Sequence, residues 1–513
     1  MESIFFFISL QWFSLFCILN ITLYLLYKSN PYIHKFIPKK LVKVYRLLEI
    51  LPDFIKNRHR FLDWTTDHLR NIPNNTLTYH RPGARGIFTA NPLNVEHMLK
   101  TNFENYPKET EGISPLDDFL GKGIFNVDGD LWKVQRKVAS HEFSTRSLRN
   151  FVMENVKAEL QTRLIPLLSN ASKSNKIIDV QDLLERFAFD NVCTVAFNVD
   201  PACLGGDGTS GTEFMKAFED AATQSAGRYM YAFPSFWRFM RFFNIGPEKV
   251  LRNSRNIVHG FAENIIKLRI QEKEKLDKNA DLLSRFIAVN DDNSEKSLEY
   301  LRDVVISFIL AGRDTTSSAL TWFFWLLSSK PDVEHKILEE LRSIRSTSGI
   351  RNGEVYKLDE LRQMHYLHAA ISEAMRLYPP VMIDTKKCKE DDIMPDGRFV
   401  GKGWFVMVHT YAMGRMENIW GKDCMEYVPE RWLENGTFRP ENPFRYPVFH
   451  AGPRMCLGKD MAHIQMKSIA AAVIEKFEMH VVNKGTCPEH VLSLTLRMKN
   501  GLMVQMKERS TGI

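Results

Sequence analysis

Cysteine is scarce in this sequence, and long runs of one charge are missing. Seven cysteines in 513 residues are too few, and odd in number, for the disulfide framework of a small secreted domain. Lysine and arginine number 68 against 61 aspartates and glutamates, so the formal net charge is only +7. Because no long basic run accompanies this excess, nucleic acid is not favoured as a partner. Repeats and low-complexity segments are also missing, and 44% hydrophobic residues are typical of a globular protein.

Charge is absent from the stretch Ser3–Tyr27, which is rich in Phe, Ile and Leu. About 20 mainly apolar residues are needed to cross the hydrocarbon core of a membrane. A cleaved signal peptide would begin with a basic residue and end at a small-residue cleavage site, whereas Glu2 precedes this stretch and several lysines follow from Lys28. We therefore predict a transmembrane signal anchor over residues 1–27. The positive-inside rule then places the rest of the chain in the cytosol.

The remaining sequence divides into a short linker and one large body. Residues 28–60 are basic and amphipathic and contain several prolines, which predicts a linker or hinge. Residues 61–513 contain no second apolar span of this kind. We therefore predict one catalytic body on one membrane tether.

The spacing of apolar residues predicts the secondary structure of that body. Apolar residues recur every three or four positions over about 91–330, which indicates helices. Short strands are expected near 77–79 and 86–89, over 384–410, and over 479–506. The predicted fold class is therefore mainly α with minor β.

One segment near the C-terminus has the residues that a thiolate ligand needs. It reads Phe449-His450-Ala451-Gly452-Pro453-Arg454-Met455-Cys456-Leu457-Gly458. Glycines at 452 and 458 allow close packing around Cys456 and turn amide hydrogens toward its sulfur. The N-terminus of a following helix would stabilise negative charge there. A lone cysteine is usually an inert core residue, but five fixed positions in this spacing make a chance match rare.

With the spacing F-x-x-G-x-R-x-C-x-G, the sequence resembles the cytochrome P-450 (haem-thiolate monooxygenase) family. The resemblance implies the cytochrome P-450 fold on a single N-terminal membrane anchor helix. It implies haem b as cofactor, with Cys456 as the axial thiolate ligand of its iron. Phe449, Gly452 and Gly458 would surround the haem, and Arg454 would donate to a propionate. O2 and NADPH would be co-substrates, with electrons from NADPH–cytochrome P-450 reductase and cytochrome b5 as an optional second donor.

Three further motifs occur in the order that the resemblance implies, and the first of them is structural. Glu373 and Arg376 are three residues apart, so on a helix they share a face and can form an ion pair. Alone this spacing is common, and a solvated surface pair is the alternative. Because Pro429-Glu430-Arg431-Trp432 follows before the cysteine segment, the resemblance implies that Arg431 joins the pair and locks the scaffold on the haem side.

The second motif interrupts the longest apolar helix predicted for the body, Leu301–Leu327. Its sequence is Ala311-Gly312-Arg313-Asp314-Thr315-Thr316, and a glycine beside an acid–threonine pair suits a buried helix interior poorly. The resemblance implies that Ala311 and Gly312 pass over the haem and leave space for O2. It implies that Asp314 and Thr315 deliver protons, which suits a hydroxyl that both donates and accepts. A polar stripe facing solvent is the alternative.

The third motif is Trp132-x-x-x-Arg136, whose spacing puts both residues on one helix face. The resemblance implies contact with the haem propionates, although either residue could be ordinary packing. Lys133 and Lys137 point to another face, and with Lys459 they could form a basic docking surface for an acidic electron donor. A merely solvated charged face is the alternative.

The resemblance extends over about residues 50–510 and is closest to the plant fatty-acid omega-hydroxylase group. It implies a single-pass protein of the endoplasmic reticulum membrane that oxidises the terminal or near-terminal carbon of a lipid-like molecule, with a fatty acid as first choice. The alternatives are the terminal side chain of a sterol and a jasmonoyl-amino acid. Substrate contacts are expected from side chains that could equally be plain core: Ile124, Phe125, Phe308, Val381, Met382 and Leu494.

Some features leave other interpretations open. The hinge Tyr45–Pro52 and His450 depart from the family pattern, which indicates a diverged member. The aromatic stretch Tyr229–Phe243 could line an access channel or dip into the membrane. A rearrangement enzyme of the same fold would lack the acid–threonine pair. A haem-bound sensor or carrier, and a scaffold without haem, are the non-enzyme alternatives.

Overall fold

The computed structural model describes residues 53–81, 84–108, 115–143, 146–205, 211–231, 234–272, 281–289, 295–349, 353–482, 484–485 and 487–509. The predicted anchor over residues 1–27 and most of the predicted linker lie outside these ranges. Among the residues described, no helix is long and apolar enough to cross a membrane.

Helices make up most of this part of the chain. The α-helices are α1 Phe61–Arg70, α2 Pro92–Glu96, α3 Asp117–Leu120, α4 Gly129–Phe143, α5 Arg146–Glu159, α6 Ile165–Lys173, α7 Val180–Phe197, α8 Thr212–Gly227, α9 Pro234–Phe243, α10 Pro247–Glu272, α11 Leu282–Val289, α12 Glu295–Ile309, α13 Thr315–Ser328, α14 Pro331–Ser348, α15 Leu358–Gln363, α16 His365–Leu377, α17 Thr410–Met413, α18 Glu417–Trp420 and α19 Lys459–Lys476. Short π-helical segments cover His97–Thr101, Leu160–Leu164 and Leu310–Asp314.

Strands form small sheets at the edge of this helical body. They are β1 Thr76–Arg81, β2 Ala84–Thr89, β3 Ile177–Asp179, β4 Asp384–Lys387, β5 Asp392–Ile393, β6 Phe399–Val400, β7 Phe405–Val408, β8 Leu433–Glu434, β9 Thr437–Phe438, β10 Phe477–Val481, β11 His490–Leu492, β12 Leu496–Met498 and β13 Met503–Glu508. The largest sheet has the order β1-β2-β7-β4, in which only β2 and β7 are parallel. A second sheet has the order β10-β13-β3, and the other strands pair two by two.

Local sequence explains where the main helices begin and end. The Asp179 side chain accepts a hydrogen bond from the Gln181 backbone N–H at 2.9 Å and so caps the start of α7. The same helix ends at Asn198, which has left-handed backbone angles. Pro331 stands in the first turn of α14, and Gly349 ends that helix with φ +67°.

The longest helical run is α12 continued by a π-helical segment and α13, from Glu295 to Ser328. Most of its side chains are buried from Asp303 to Phe324. The π-helical turn inserts one extra residue into the hydrogen-bond ladder, and such turns occur often at functional sites. Here the turn, Leu310–Asp314, coincides with the polar motif that the sequence analysis singled out.

Three hydrophobic clusters form the interior. The first packs α13, α16 and α19 together, the second packs α7, α8, α10 and α12, and the third joins the largest sheet to α17. The cysteine segment lies where the three clusters meet, because Phe449 packs against the first, Leu457 against the second, and Ala451 belongs to the third. The prediction of a mainly α fold with minor β is confirmed, as are the strands expected near 77–79 and 86–89.

Candidate functional site

The cysteine segment is a tight turn that ends at the N-terminus of α19. The Cys456 backbone N–H donates to the Phe449 carbonyl at 2.9 Å, which closes the turn. Gly452 has φ +66°, and a Cβ at this position would overlap the Leu99 carbonyl. Only glycine therefore fits there. Gly458 immediately precedes α19, with Phe143 of α4 against it.

The Cys456 side chain is accessible although protein surrounds it closely. Burial raises the pKa of its thiol, while the N–H groups of Gly458 and Lys459 and the charges of Arg136 and Lys459 act in the opposite direction. Cys456 is therefore exposed as a residue, while nearby protein atoms desolvate its thiol. Its helix-terminal N–H groups and nearby cations are the surroundings that stabilise a thiolate.

Arg454, Trp132 and Arg136 meet beside this cysteine. The Arg454 guanidinium lies over the Trp132 ring, 4.5 Å from the ring centroid. It also donates to the Val127 carbonyl at 2.9 Å and pairs with the Asp128 carboxylate. Burial lowers the pKa of Arg136, which interacts electrostatically with both Cys456 and Arg454. The sequence prediction therefore named three residues that the structure brings together, but it did not include Asp128.

A second basic group, which sequence reasoning missed, lies next to Arg454. Asp384 of β4 pairs with Lys108, with Lys386 at 3.2 Å and with His450 at 3.0 Å. Lys386 is 1% exposed, and its Nζ has no hydrogen-bond acceptor of suitable geometry among the residues described. Burial lowers the pKa of Lys386 to about 7, and Arg454 contributes to that shift. A charged residue at an inward position of a strand is the signal that could have revealed it.

The charges around the cysteine segment fit the cofactor that the resemblance implies. When protonated, four cations (Lys108, Arg136, Lys386 and Arg454) stand against two carboxylates (Asp128 and Asp384). Buried charges are expected to be paired, so this excess of two positive charges calls for a dianionic ligand. Haem b carries two propionates and needs one thiolate, and both requirements are met here.

The long helix presents a narrow accessible strip in an otherwise buried run. Ala311, Gly312 and Thr315 are partly exposed, whereas Leu310, Arg313 and Thr316 beside them are buried. Positions 311 and 315 share one face, and the Thr315 hydroxyl donates to the Ala311 carbonyl at 2.7 Å. Buried residues flank this strip on both sides, so the motif as a whole does not form the broad solvent-facing stripe that was the alternative.

Gly312 serves a helix–helix contact, a role that the sequence analysis did not predict. A Cβ on Gly312 would lie 2.5 Å from Cγ2 of Val192 on α7. The missing side chain therefore lets the π-helical turn approach α7 closely. Of the two small residues in the motif, Ala311 is the one on the face of Thr315.

The structure pairs Asp314 with its neighbour Arg313. The two side chains are 2.5 Å apart, and both are almost completely buried. Arg313 also pairs with Glu185 of α7 at 3.0 Å and lies over the Phe218 ring. Burial raises the pKa of Asp314, although Arg313 acts against that shift. Asp314 therefore precedes Thr315 in the sequence, but its carboxylate is paired with the Arg313 guanidinium.

Glu373 and Arg376 form a fully buried ion pair on α16 that anchors the segment before the cysteine turn. Arg376 donates through two nitrogens to the two Glu373 oxygens, each at 2.7 Å. Arg431 donates to Glu373 at 3.0 Å, and the Trp432 indole does so at 2.9 Å. Arg376 also donates to three backbone carbonyls, including Cys424 at 2.7 Å. The three predicted scaffold residues thus form one network, which excludes a solvated surface pair.

Phe143 links the cysteine turn to the long helix. Its ring stacks on Phe308 with centroids 6.1 Å apart, and it lies against Gly458. Among the predicted substrate contacts, Phe125 and Val381 are exposed, and Ile124 and Leu494 are partly exposed. Phe308 and Met382 are buried in core clusters, so for these two the structure favours packing over substrate contact.

The three lysines of the predicted docking surface are all exposed. Lys133 pairs loosely with Asp130, at 3.7 Å, and Lys137 lies one turn further along α4. Lys459 lies at the start of α19 with its Nζ 5.8 Å from the Phe449 ring centroid. Its ammonium group therefore approaches the cysteine turn from the surface.

Comparison with known proteins agrees with the family resemblance seen in the sequence. The family model described as Cytochrome P450 matches residues 50–506. The chain is 52% identical over 462 residues to Cytochrome P450 CYP94D108 of Paris polyphylla, a match that covers 90% of this chain and 91% of that protein. It is 44% identical over 485 residues to Cytochrome P450 94A1 of Vicia sativa, covering 92% and 91%. It is 46% identical over 452 residues to Cytochrome P450 94C1 of Arabidopsis thaliana, covering 87% and 89%.

Proposed function

The chain belongs to the cytochrome P450 family, and from that premise we propose that it oxidises the terminal (omega) or near-terminal carbon of a lipid-like substrate, with a fatty acid as first choice. Members of the family are haem-dependent monooxygenases that use O2 and receive electrons from NADPH through a reductase. The observation that carries the proposal is the exposed Cys456 just before α19, with Phe143 lying between Gly458 of this turn and Phe308 of the long helix.

The residues around the cysteine turn would hold the haem. Cys456 would ligate the iron, and Trp132 would support Arg454 beside one propionate. Arg136, which is half-buried, and Lys386, which is buried and shares Asp384 with Lys108 and His450, would supply the other cationic contacts. When bound, the haem supplies the activation of O2 and the oxidation of an unactivated C–H bond.

Side chains of the long helix would deliver protons and would shape the space beside the Thr315 hydroxyl. Burial raises the pKa of the Asp314 carboxyl, which favours its protonated form. The Thr315 hydroxyl, bonded to the Ala311 carbonyl, lies on the accessible strip and can pass a proton into the cavity. Ala311, with its single methyl group, leaves room beside that hydroxyl.

A lipid-like substrate suits both the accessible side chains and the predicted membrane tether. Ile124, Phe125, Val381 and Leu494 are accessible apolar side chains of the kind that line ligand pockets. An apolar substrate concentrates in the bilayer. A body held at the endoplasmic reticulum membrane by residues 1–27 would take its substrate from there and would meet the reductase, with cytochrome b5 as an optional second donor.

The test is oxidation of a substrate mixture by microsomes that contain the full chain, a plant reductase and NADPH. Long-chain fatty acids, jasmonoyl-isoleucine and hydroxylated sterols are offered together under 18O2, and products are identified by mass spectrometry. We expect one 18O at the terminal or near-terminal carbon of a fatty acid, and none in the Cys456→Ala variant. Oxygen on the sterol or the jasmonate alone would contradict the fatty-acid assignment. Failure to consume NADPH with any of the substrates would favour a sensor or carrier.

A further inference from the structure

A chain of ion pairs continues from Asp314 through the interior. Asp314 binds Arg313 at 2.5 Å, and Arg313 binds Glu185 at 3.0 Å. All three side chains are at most 6% exposed. These ion pairs join the long helix to α7, on the side where Gly312 and Val192 bring the two helices close.

This series of ion pairs ends near the surface. Glu185 accepts a second hydrogen bond, from Arg497 of β12 at 2.8 Å. Arg497 also pairs with Glu219 of α8, whose side chain is 38% exposed. Four elements of the fold therefore contribute to one line of alternating charges between solvent and Asp314.

The charges in this line do not balance. Three carboxyl groups, those of Asp314, Glu185 and Glu219, stand against two guanidinium groups, those of Arg313 and Arg497. Glu219 lies at the exposed end of this line, so in the interior it is the burial of Asp314 and Glu185 that favours the uptake of one proton. Glu185 binds both guanidinium groups, whereas Asp314 binds only one, so Asp314 is the better place for that proton. Burial raises the pKa of both Asp314 and Glu185.

We propose that Glu185 is a positioning residue that keeps Arg313 neutralised when Asp314 leaves it to deliver a proton. With Glu185 in place, Asp314 can separate from Arg313 without leaving an unpaired buried cation. The Asp314 carboxyl then gives its proton to the Thr315 hydroxyl, which releases its own proton into the cavity, and solvent returns one proton to Asp314. This inference rests on the proposed function, because it assigns a control element to the same proton delivery.

Glu185→Gln is the direct test. The amide removes one negative charge, so Arg313 has only Asp314 as anionic partner and holds it more firmly. We expect the fraction of NADPH converted to product to fall roughly 3- to 10-fold, which corresponds to half to one unit of proton affinity. The remainder should appear as hydrogen peroxide (NADPH, a proton and O2 giving NADP+ and H2O2), and the solvent deuterium isotope effect should grow. The substrate-binding spectrum and the 450-nm carbon monoxide band should stay unchanged.

Two further variants separate this role from a purely structural one. Glu185→Asp keeps the charge and should recover most of the coupling. Arg497→Gln frees Glu185 to bind Arg313 alone, so it should leave coupling intact and lower the isotope effect. Glu159→Gln is the matched control, because Glu159 is a buried glutamate that pairs with Arg163 at 2.8 Å outside this chain.

The outcomes are distinguishable. Unchanged coupling and isotope effect in a correctly folded Glu185→Gln enzyme would overturn the inference, and so would an equal loss in Glu159→Gln. An effect of Arg497→Gln in the same direction as Glu185→Gln would also count against it. If the unsubstituted enzyme oxidises none of the offered substrates, the proposed function fails first, and that result is visible before any variant is compared.

Discussion

The buried amino group of Lys386 should affect two properties in opposite directions: it lowers the stability of the apoprotein and helps to retain the haem. Lys386 shares Asp384, its only anionic partner among the described residues, with Lys108 and His450, and a buried charge with a shared partner is costly. Lys386→Met should therefore stabilise the apoprotein, by a few kcal/mol at neutral pH. The same change should speed haem loss, because a cation for a propionate is gone. The two effects have opposite signs, and they are measured by urea unfolding of the apoprotein and by haem transfer to apomyoglobin.

The pH dependence gives this prediction a second check. Burial lowers the pKa of Lys386 in the folded chain to about 7 from its ordinary value of 10.5. Between these values the unfolded chain binds the extra proton, so the contribution of Lys386 to stability rises with pH. The advantage of Lys386→Met should therefore shrink from pH 7 toward pH 10. Lys467→Met is the control, because that buried lysine donates to the Leu361 carbonyl and its removal should not change haem loss.

Gly452, in the cysteine turn, can be compared with Gly436, a control position outside that turn. Both have positive φ, +66° and +77°, but a Cβ overlaps the Leu99 carbonyl at Gly452 and meets nothing within 4 Å at Gly436. Gly436→Ala should cost about 1 kcal/mol from backbone strain alone and keep its haem. Gly452→Ala should lose most of the 450-nm carbon monoxide band at equal protein concentration. Equal spectra for the two variants would show that the turn tolerates the added carbon.

Residues next to the cysteine were easier to predict than residues that reach it from elsewhere. Arg454 and Gly452 belong to one short motif, so their spacing carries the information. Lys386 and Asp128 are 70 and 328 positions from Cys456 in sequence, and their role depends on tertiary contacts that no local pattern encodes. His450 was noticed only as a departure from the family pattern. The structure gives it φ +61° and ψ −175°, a conformation that non-glycine residues rarely adopt, with its ring bonded to Asp384.

At the scale of elements, the contact between α7 and the π-helical turn can be tested by a double-mutant cycle. Gly312→Ala alone should destabilise the protein, although alanine is the better helix former by about 1 kcal/mol, because its Cβ collides with Val192. Val192→Ala alone should cost about 1 kcal/mol by loss of packing. The double variant should be more stable than Gly312→Ala, as measured by thermal unfolding. Simple addition of the two single effects would contradict a direct contact.

The helix around this turn could be predicted from the sequence, but the π-helical turn itself could not. The sequence analysis predicted one apolar helix over Leu301–Leu327, and the structure has a helical run from Glu295 to Ser328 in three parts. Apolar periodicity identifies the helix because it reports burial. It does not report the π-helical turn, because most side chains on both sides of the turn are buried, so a shift of helical phase does not change the apolar pattern. The polar motif was the visible signal of that irregularity.

For the molecule as a whole, composition and periodicity predicted the fold class, and motif order predicted the family. The way in which three hydrophobic clusters meet at the cysteine turn could not be predicted, because Phe449, Leu457 and Ala451 differ little in character along the sequence. Their separation into different clusters arises only when distant helices pack. The six cysteines among the described residues are free.

The exposed face of α9 makes a prediction about how the whole body sits on a membrane. Phe236, Phe239, Phe242 and Phe243 are 54–83% exposed on this ten-residue helix, which is a large apolar surface for one short element. Aromatic side chains favour the interface between lipid and water. We therefore expect the body to bind lipid vesicles even when residues 1–27 are removed.

Replacing two of these phenylalanines tests the contact. Phe239→Ser with Phe242→Ser should weaken vesicle binding of the protein without residues 1–27 by about tenfold or more, since each buried phenylalanine contributes about 1.5–3 kcal/mol. The control is Ile393→Ser with Phe399→Ser, because these side chains are 66% and 51% exposed on the β5–β6 hairpin. Cosedimentation with vesicles containing anionic lipid measures both. An equal loss in the control would mean that binding follows total exposed apolar area, and the face of α9 would then have no special part in orienting the body on the bilayer.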